Sequence, residues 1–207
     1  MINMNRILKI FLSLIFIFIL SGCQKHGVKQ DIKLLDNNNS YYNWIYSIDD
    51  ESIVKMVDEK YYGEENNDEI NGLGGEYIFT IQTLKPGKTR INFSYVISWD
   101  KTDEIYNYYI DVEVSEDLEL KITYETGNYL ALLKFLKLEK EVLGLNNTFD
   151  NYKFYFSDDP VNYKEYECYR LSVYDYEDNA IGYYAISSSN DYIFKVVDGE
   201  YILLNED

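Results

Sequence analysis

The sequence predicts a mostly antiparallel β protein: a β-sandwich over residues 31–118, then an α+β domain over residues 121–207 with one helix and an antiparallel sheet. Three observations predict it. Apolar and polar residues alternate with period two through most of residues 31–115, the mark of sheets with one buried face. A helical spacing of apolar residues appears over residues 129–143, and alternation resumes after it. Turn-forming residues separate the alternating runs.

In the first half, short strands are expected at 30–35, 43–48 and 52–58. Tyr77, Phe79 and Ile81 define a strand at 76–84. Lys85-Pro86-Gly87-Lys88 then carries a type II turn signal, because proline presets φ at the second position and glycine accepts positive φ at the third. It leads into 89–97, where Ile91, Phe93, Tyr95 and Ile97 alternate with Arg90, Asn92, Ser94 and Val96. Tyr106, Tyr108, Ile110, Val112 and Val114 mark the next strand. Short strands at this density suit an antiparallel sandwich. The pattern changes near 116–127. Asn128, or Thr126, is placed to cap a helix Tyr129–Leu143, with Tyr129, Leu132, Leu133, Leu136 and Leu143 on one face and Gly144 past its end. Strands follow at 152–157, 164–175, 180–187, 192–197 and 200–204, with Asp178-Asn179 as a hairpin turn.

Composition narrows the function. The chain of 207 residues carries 36 acidic against 19 basic side chains, a net charge of −17. That balance argues against nucleic-acid binding, which needs clustered Lys and Arg, and against a polybasic contact with anionic lipid. A single histidine, His26, and two cysteines, Cys23 and Cys168, leave no Ser-His-Asp triad, Cys-His pair or histidine-ligated metal site to assemble. Neither an enzyme nor a cofactor is expected. Tyrosine is abundant, at 23 residues, and favours strands and aromatic contact surfaces.

The first segment reads as an address. Arg6 and Lys9 precede the apolar run Ile10–Leu20, which is too short to span a bilayer but suits a signal-peptide core. Leu20-Ser21-Gly22-Cys23 follows and resembles the lipobox of bacterial lipoproteins. The resemblance implies cleavage after residue 22, lipid on Cys23, and a mature protein anchored to the extracytoplasmic face of the cell membrane. Residues 23–30 read as a tether, with His26 a solvated linker residue. Cys168 is then left without a disulfide partner, in the alternating run Tyr166-Glu167-Cys168-Tyr169-Arg170, and reads as a strand thiol.

Three loops interrupt the first sandwich. The first reads Asn37-Asn38-Asn39-Ser40-Tyr41-Tyr42-Asn43-Trp44, the second Gly72-Leu73-Gly74-Gly75, the third Ile97-Ser98-Trp99. In order and spacing they resemble the loops of the chagasin-like inhibitors of papain-type cysteine peptidases, whose motifs are N-P-T-T-G-Y-x-W, G-x-G-G and R-P-W. The resemblance covers roughly residues 30–115. It implies an immunoglobulin-like β-sandwich whose three loops form a wedge entering the peptidase cleft. The contact residues it implies are Asn39, Ser40, Tyr41, Tyr42, Gly72, Leu73, Gly74, Gly75, Ile97, Ser98 and Trp99. Asn37, Tyr42 and Trp44 match the first motif, the second matches in full, and Trp99 alone survives of the third.

The departures bear on mechanism. Asn38 stands where the family has proline, and it lacks a fixed φ. Tyr41 stands at the small glycine position, where bulk restricts backbone approach. Ile97 replaces a multi-donor arginine. Weaker inhibition, a changed target, or a sandwich that keeps the fold and binds something else is expected. Taken residue by residue, GxGG is a loop needing positive φ, Trp44 opens a strand and reads as core, and Trp99 in a polar loop is the better contact candidate. The acidic runs Glu64–Glu69, Asp49–Glu51 and Asp175–Asp178 read as solvated loops and turns. The alternative function is a non-catalytic surface lipoprotein that binds a peptide, a wall polymer or another envelope protein.

Overall fold

The computed structural model describes residues 27–36, 42–63, 75–147, 149–157, 159–189 and 191–205. The signal segment, the lipobox with Cys23, and the acidic run at 64–69 lie outside them. The chain is mostly β-sheet, with two short α-helices among the described residues.

The first strands are β1 (Lys29–Asp36), β2 (Tyr42–Ile48), β3 (Val54–Gly63), β4 (Gly75–Thr83), β5 (Gly87–Ile97), β6 (Asp100–Val114) and β7 (Leu120–Thr126). They form two antiparallel sheets, ordered β1-β4-β3 and β2-β5-β6-β7. Strands β4 and β5 are consecutive but lie in different sheets, so residues 84–86 cross between them. The amides of Leu84 and Lys85 both donate to Ile53 O on the way, at 2.8 and 3.4 Å.

Alternation puts one row of each strand inward. Ile32, Leu34, Val54, Phe79 and Ile81 from one sheet share a core with Trp44, Ile91, Phe93, Tyr95, Tyr108, Ile110 and Val112 from the other. Phe79 and Phe93 meet across the gap with ring centroids 5.1 Å apart. Burying each large apolar side chain contributes about 1.5–3 kcal/mol, which is what drives the two faces together. The expected inward row of β5 breaks at its end. Opposite it β6 carries extra residues, Ile105 and 101–103, while β5 keeps its register with β2 through Ile97; Val96 is buried there beside Tyr95 and Ile97 is half-buried.

Strand β3 runs past the expected residue 58. Its bulge at Met56/Asp58 and its charged Lys55, Asp58, Glu59 and Lys60 suit an edge exposed to solvent, which charge protects from pairing with other chains. Strand β7 was not expected; it pairs with β6 along Leu120–Thr126, so the four-stranded sheet extends through the segment where the sequence pattern changes. Leu120 and Ile122 are half-buried and Tyr124 is exposed, an alternation too weakly apolar to stand out.

The expected single helix Tyr129–Leu143 is two: α1 (Asn128–Phe135) and α2 (Lys140–Leu143). The chain turns at residues 136–139, which lets Leu143 and Leu145 join Phe135 in the same core. Gly144 ends α2 at φ 74°, as its position suggested. The expected cap is absent. Gly127 occupies the cap position, and the Asn128 side chain bonds β6 instead: Asn107 N–H donates to its Oδ1 at 2.7 Å, and its Nδ2 donates to Ile105 O at 3.2 Å.

The remaining strands are β8 (Tyr152–Phe156), β9 (Val161–Tyr163), β10 (Tyr166–Asp175), β11 (Ala180–Ser187), β12 (Ile193–Val197) and β13 (Glu200–Leu203). Their sheet has the order β13-β12-β11-β10-β8, with β9 paired to the start of β10. The β10–β11 turn is closed by Asp175, whose Oδ1 accepts the amides of Glu177 and Asn179 at 2.9 and 2.8 Å. Phe154, Leu171, Val173, Tyr184 and Ile186 face α1 and the sandwich; Phe135 lies edge-on to Tyr184 at 4.7 Å. One contiguous cluster of buried residues runs from Ile32 in β1 to Ile193 in β12. The two halves therefore share a core.

Candidate functional site

Six strand termini lie at one end of the sandwich. In the three-stranded sheet Asp36, the last residue of β1, pairs with Gly75, the first of β4, and Gly75 pairs in turn with Gly63, the last of β3. In the four-stranded sheet Tyr42, the first residue of β2, pairs with Ile97, and Ile97 pairs with Asp100 across the two-residue turn Ser98-Trp99. Residues 37–41, 64–74 and 98–99 leave and re-enter the fold through these termini.

Side chains tie the two sheets together at this end. Trp44 Nε1–H donates to Leu35 O at 3.0 Å, and the Tyr95 hydroxyl donates to Asp36 Oδ1. Tyr42 stacks on Tyr95 with centroids 5.6 Å apart, and Tyr95 stacks on Tyr106 at 5.5 Å. Asp36 is buried; it occupies the inward row of β1 after Ile32 and Leu34. A carboxylate there has to be hydrogen-bonded to tolerate burial. The phenols of Tyr106, Tyr108 and Tyr129 are all pushed up from their ordinary range, chiefly by burial, so they stay protonated at neutral pH.

The candidate contact residues divide as follows. Asn39, Ser40, Tyr41, Gly72, Leu73 and Gly74 lie outside the described residues. Tyr42 and Ile97 are half-buried and face each other across the β2–β5 pair. Ser98 is exposed, and Trp99 is 71% exposed at the tip of its turn. Gly75 departs from the expected reason for its glycine. It lies within β4 without positive φ, and a Cβ there would fall 2.6 Å from the Tyr61 hydroxyl and 2.7 Å from Tyr62 O. Close packing on β3, not backbone conformation, excludes a side chain. Trp44 is core, as its place at the start of a strand suggested, with its indole N–H satisfied.

Asp36, Tyr95 and Tyr129 were missed as site-shaping residues. The one legible signal was Asp36, a lone acid closing an inward-facing apolar row. Cys168 is buried and burial pushes its thiol up, which leaves little nucleophilic thiolate. Among the described residues no three His, Cys, Asp or Glu side chains form a metal-binding group. On the face of the six-stranded sheet opposite Leu171, a cavity of about 450 Å³ is lined by Val161, Arg170, Ser172, Tyr183 and Tyr201 among others. Arg170 Nη2 donates to Ser157 Oγ there at 2.6 Å.

Residues 25–112 match the family model of the chagasin family peptidase inhibitor I42. The matched stretch contains all three loops and ends within β6; β7, the helices and the six-stranded sheet lie beyond it. No curated protein and no solved structure matches the chain. Chagasin-family inhibitors act on cysteine peptidases, and the match over residues 25–112 is to a peptidase-inhibitor domain of that family.

Proposed function

We propose that the chain is a tethered, reversible inhibitor of papain-type cysteine peptidases, acting through the loops at 37–44, 72–75 and 97–99 as a wedge in the peptidase cleft. The observation that carries this reading is the gathering of six strand termini at one end of the sandwich, within the stretch that matches the inhibitor family. Inhibition of this kind is steric. The loops lay backbone and aromatic surface where substrate would bind, and no covalent step is needed. Tyr41, Tyr42 and Trp99 supply the aromatic anchors on which such interfaces concentrate their energy. The glycines at 72–75 allow the backbone to approach closely. Asn38, Tyr41 and Ile97 depart from the family pattern, which favours a modest affinity or a narrow set of targets.

Lipid on Cys23 would hold the wedge at the extracytoplasmic membrane surface, where two acyl chains anchor stably and one does not. The test is direct. Residues 24–207, titrated against a panel of papain-type peptidases, should inhibit at least one with a saturable dose response. Absence of inhibition across the panel overturns the reading. In cells, Cys23→Ser should release the protein from the membrane fraction, and retention there would remove the lipid anchor.

The cavity beside Arg170 supports a second reading, in which the chain holds a peptide, wall polymer or other envelope protein. It would gain ground if the purified protein inhibits no peptidase yet loses a partner when Tyr183 or Tyr201 is changed to alanine.

A further inference from the structure

We infer that the second half of the chain fixes the last residues of β1, where the first loop of the inhibitory end begins, and that Tyr129 is the positioning residue through which it does so. This rests on the reading of residues 37–41 as part of the wedge.

The argument starts from the place of β1. It is an edge strand, paired on one side with β4, where Leu35 lies opposite Glu76. The backbone N–H and C=O of Leu35 point away from that partner. In an edge strand such groups need another donor and acceptor, or water. Here both are taken by aromatic side chains. The Leu35 amide donates to the Tyr129 hydroxyl at 2.6 Å, and Leu35 O accepts from Trp44 Nε1 at 3.0 Å. Asp36, the next residue, accepts from the Tyr95 hydroxyl. The last two residues before the first loop are thus held at three points from outside their own sheet.

Of the three clamps, Tyr129 alone lies beyond the stretch that matches the inhibitor family. It is the second residue of α1 and 2% exposed. Its ring lies edge-on to Trp44 at 4.9 Å and tilted against Tyr108 at 5.6 Å, so it also braces the neighbouring clamp. The helix that carries it is fixed at both ends. Asn128 bonds the backbone of β6, and Phe135 packs on Tyr184 and Phe154 of the six-stranded sheet. A segment ordered before it meets its partner loses less conformational freedom on binding. The second half therefore contributes to affinity without touching the peptidase.

The test uses residues 24–207 as wild type, Tyr129→Phe, Trp44→Phe and Tyr184→Phe. Tyr184→Phe is the control: it removes another buried phenol, bonded to Leu143 O at 2.6 Å in the second half, away from β1. Inhibition constants and amide exchange of Leu35 and Asp36 are read together. Tyr129→Phe should weaken inhibition about tenfold and speed exchange at Leu35, while Tyr184→Phe changes neither, even if both lower the melting temperature. Equal inhibition by Tyr129→Phe and wild type overturns the inference, whatever the exchange result. Equal loss in Tyr129→Phe and Tyr184→Phe also overturns it, since the effect would then be one of general stability. Trp44→Phe reads the other Leu35 bond, within the first half; should Tyr129→Phe not fold, Asn128→Ala, which frees the start of α1 from β6, tests the second half in its place, and inhibition equal to wild type overturns the inference. If the wild type inhibits no peptidase, the functional reading has failed by itself; faster exchange at Leu35 confined to Tyr129→Phe then still supports the clamp, and unchanged exchange removes it.

Discussion

Tyr95 on β5 donates its phenolic hydrogen to the carboxylate of Asp36 at the end of β1, joining two sheets at residues 59 apart in sequence. Both partners are buried. Removing one partner of a buried hydrogen bond costs about 1–3 kcal/mol. Tyr95→Phe should therefore lower unfolding stability by about 1–3 kcal/mol, measured as a shift in urea midpoint at constant slope. An unchanged midpoint would mean that the bond contributes nothing.

Trp99 separates binding from stability. At 71% exposure its truncation removes little buried surface, so Trp99→Ala should keep stability within about 0.5 kcal/mol of wild type. If Trp99 and Tyr41 are anchors, Trp99→Ala and Tyr41→Ala should each weaken peptidase binding by about 1–3 kcal/mol. The check is a pair of measurements on the same preparations, thermal unfolding and inhibition constant. Unaltered inhibition by both variants rejects the wedge.

Gly127, at the cap position of α1, lies against Asn107 of β6. Its φ is 122°, and a Cβ would fall 2.2 Å from Asn107 O, a backbone atom that has nowhere to go. Gly127→Ala should destabilise by more than the roughly 1 kcal/mol of an ordinary strained substitution. Because the residue leads into Tyr129, the loss should reach the β1 end as well, visible as faster amide exchange at Leu35. A variant as stable as wild type would show that the backbone there relaxes freely.

Arg90 and Asp111 form a paired contact across β5 and β6, at 2.6 Å from Nε and 2.9 Å from Nη2. The Asp111 carboxyl is held below its ordinary 3.8, first by this hydrogen bond and then by the guanidinium charge. A carboxyl whose value is depressed on folding stabilises above its unfolded value and loses that contribution as pH falls through the folded one. Stability should therefore drop on acidification below about pH 4, and Asp111→Asn should flatten part of that drop. The pair is partly solvated, so the effect is modest and shrinks in high salt. Identical acid profiles for the two proteins would show that the pair carries none of the pH dependence.

Some of this architecture can be read along the chain. The inward rows of β4 and β6, the start of α1 to within one residue, the stop of α2 at Gly144 and the Asp178-Asn179 turn follow from alternation and turn chemistry. Others resist reading for physical reasons. Strand β7 covers an edge and buries little, so its residues carry almost no apolar signal. The cap expected at Asn128 failed because its side chain found the backbone of β6, a partner 21 residues away. The extra residues of β6 opposite the end of β5, where Val96 is buried and Ile97 half-buried, leave no mark in the pattern.

Sequence alone determined which residues face inward and the order in which the three loop segments occur, since both depend on side-chain periods of one strand and its turns. Which surfaces meet was decided only by the tertiary structure. Period two says that a face is buried and is silent about what buries it. Thus β4 and β5, neighbours in the chain, separate into different sheets, while Leu35 and Tyr129, 94 residues apart, share a hydrogen bond at the base of the first loop. The unpaired edge of β1 creates the demand for that bond, and only the folded chain can bring a helix from the other half to meet it.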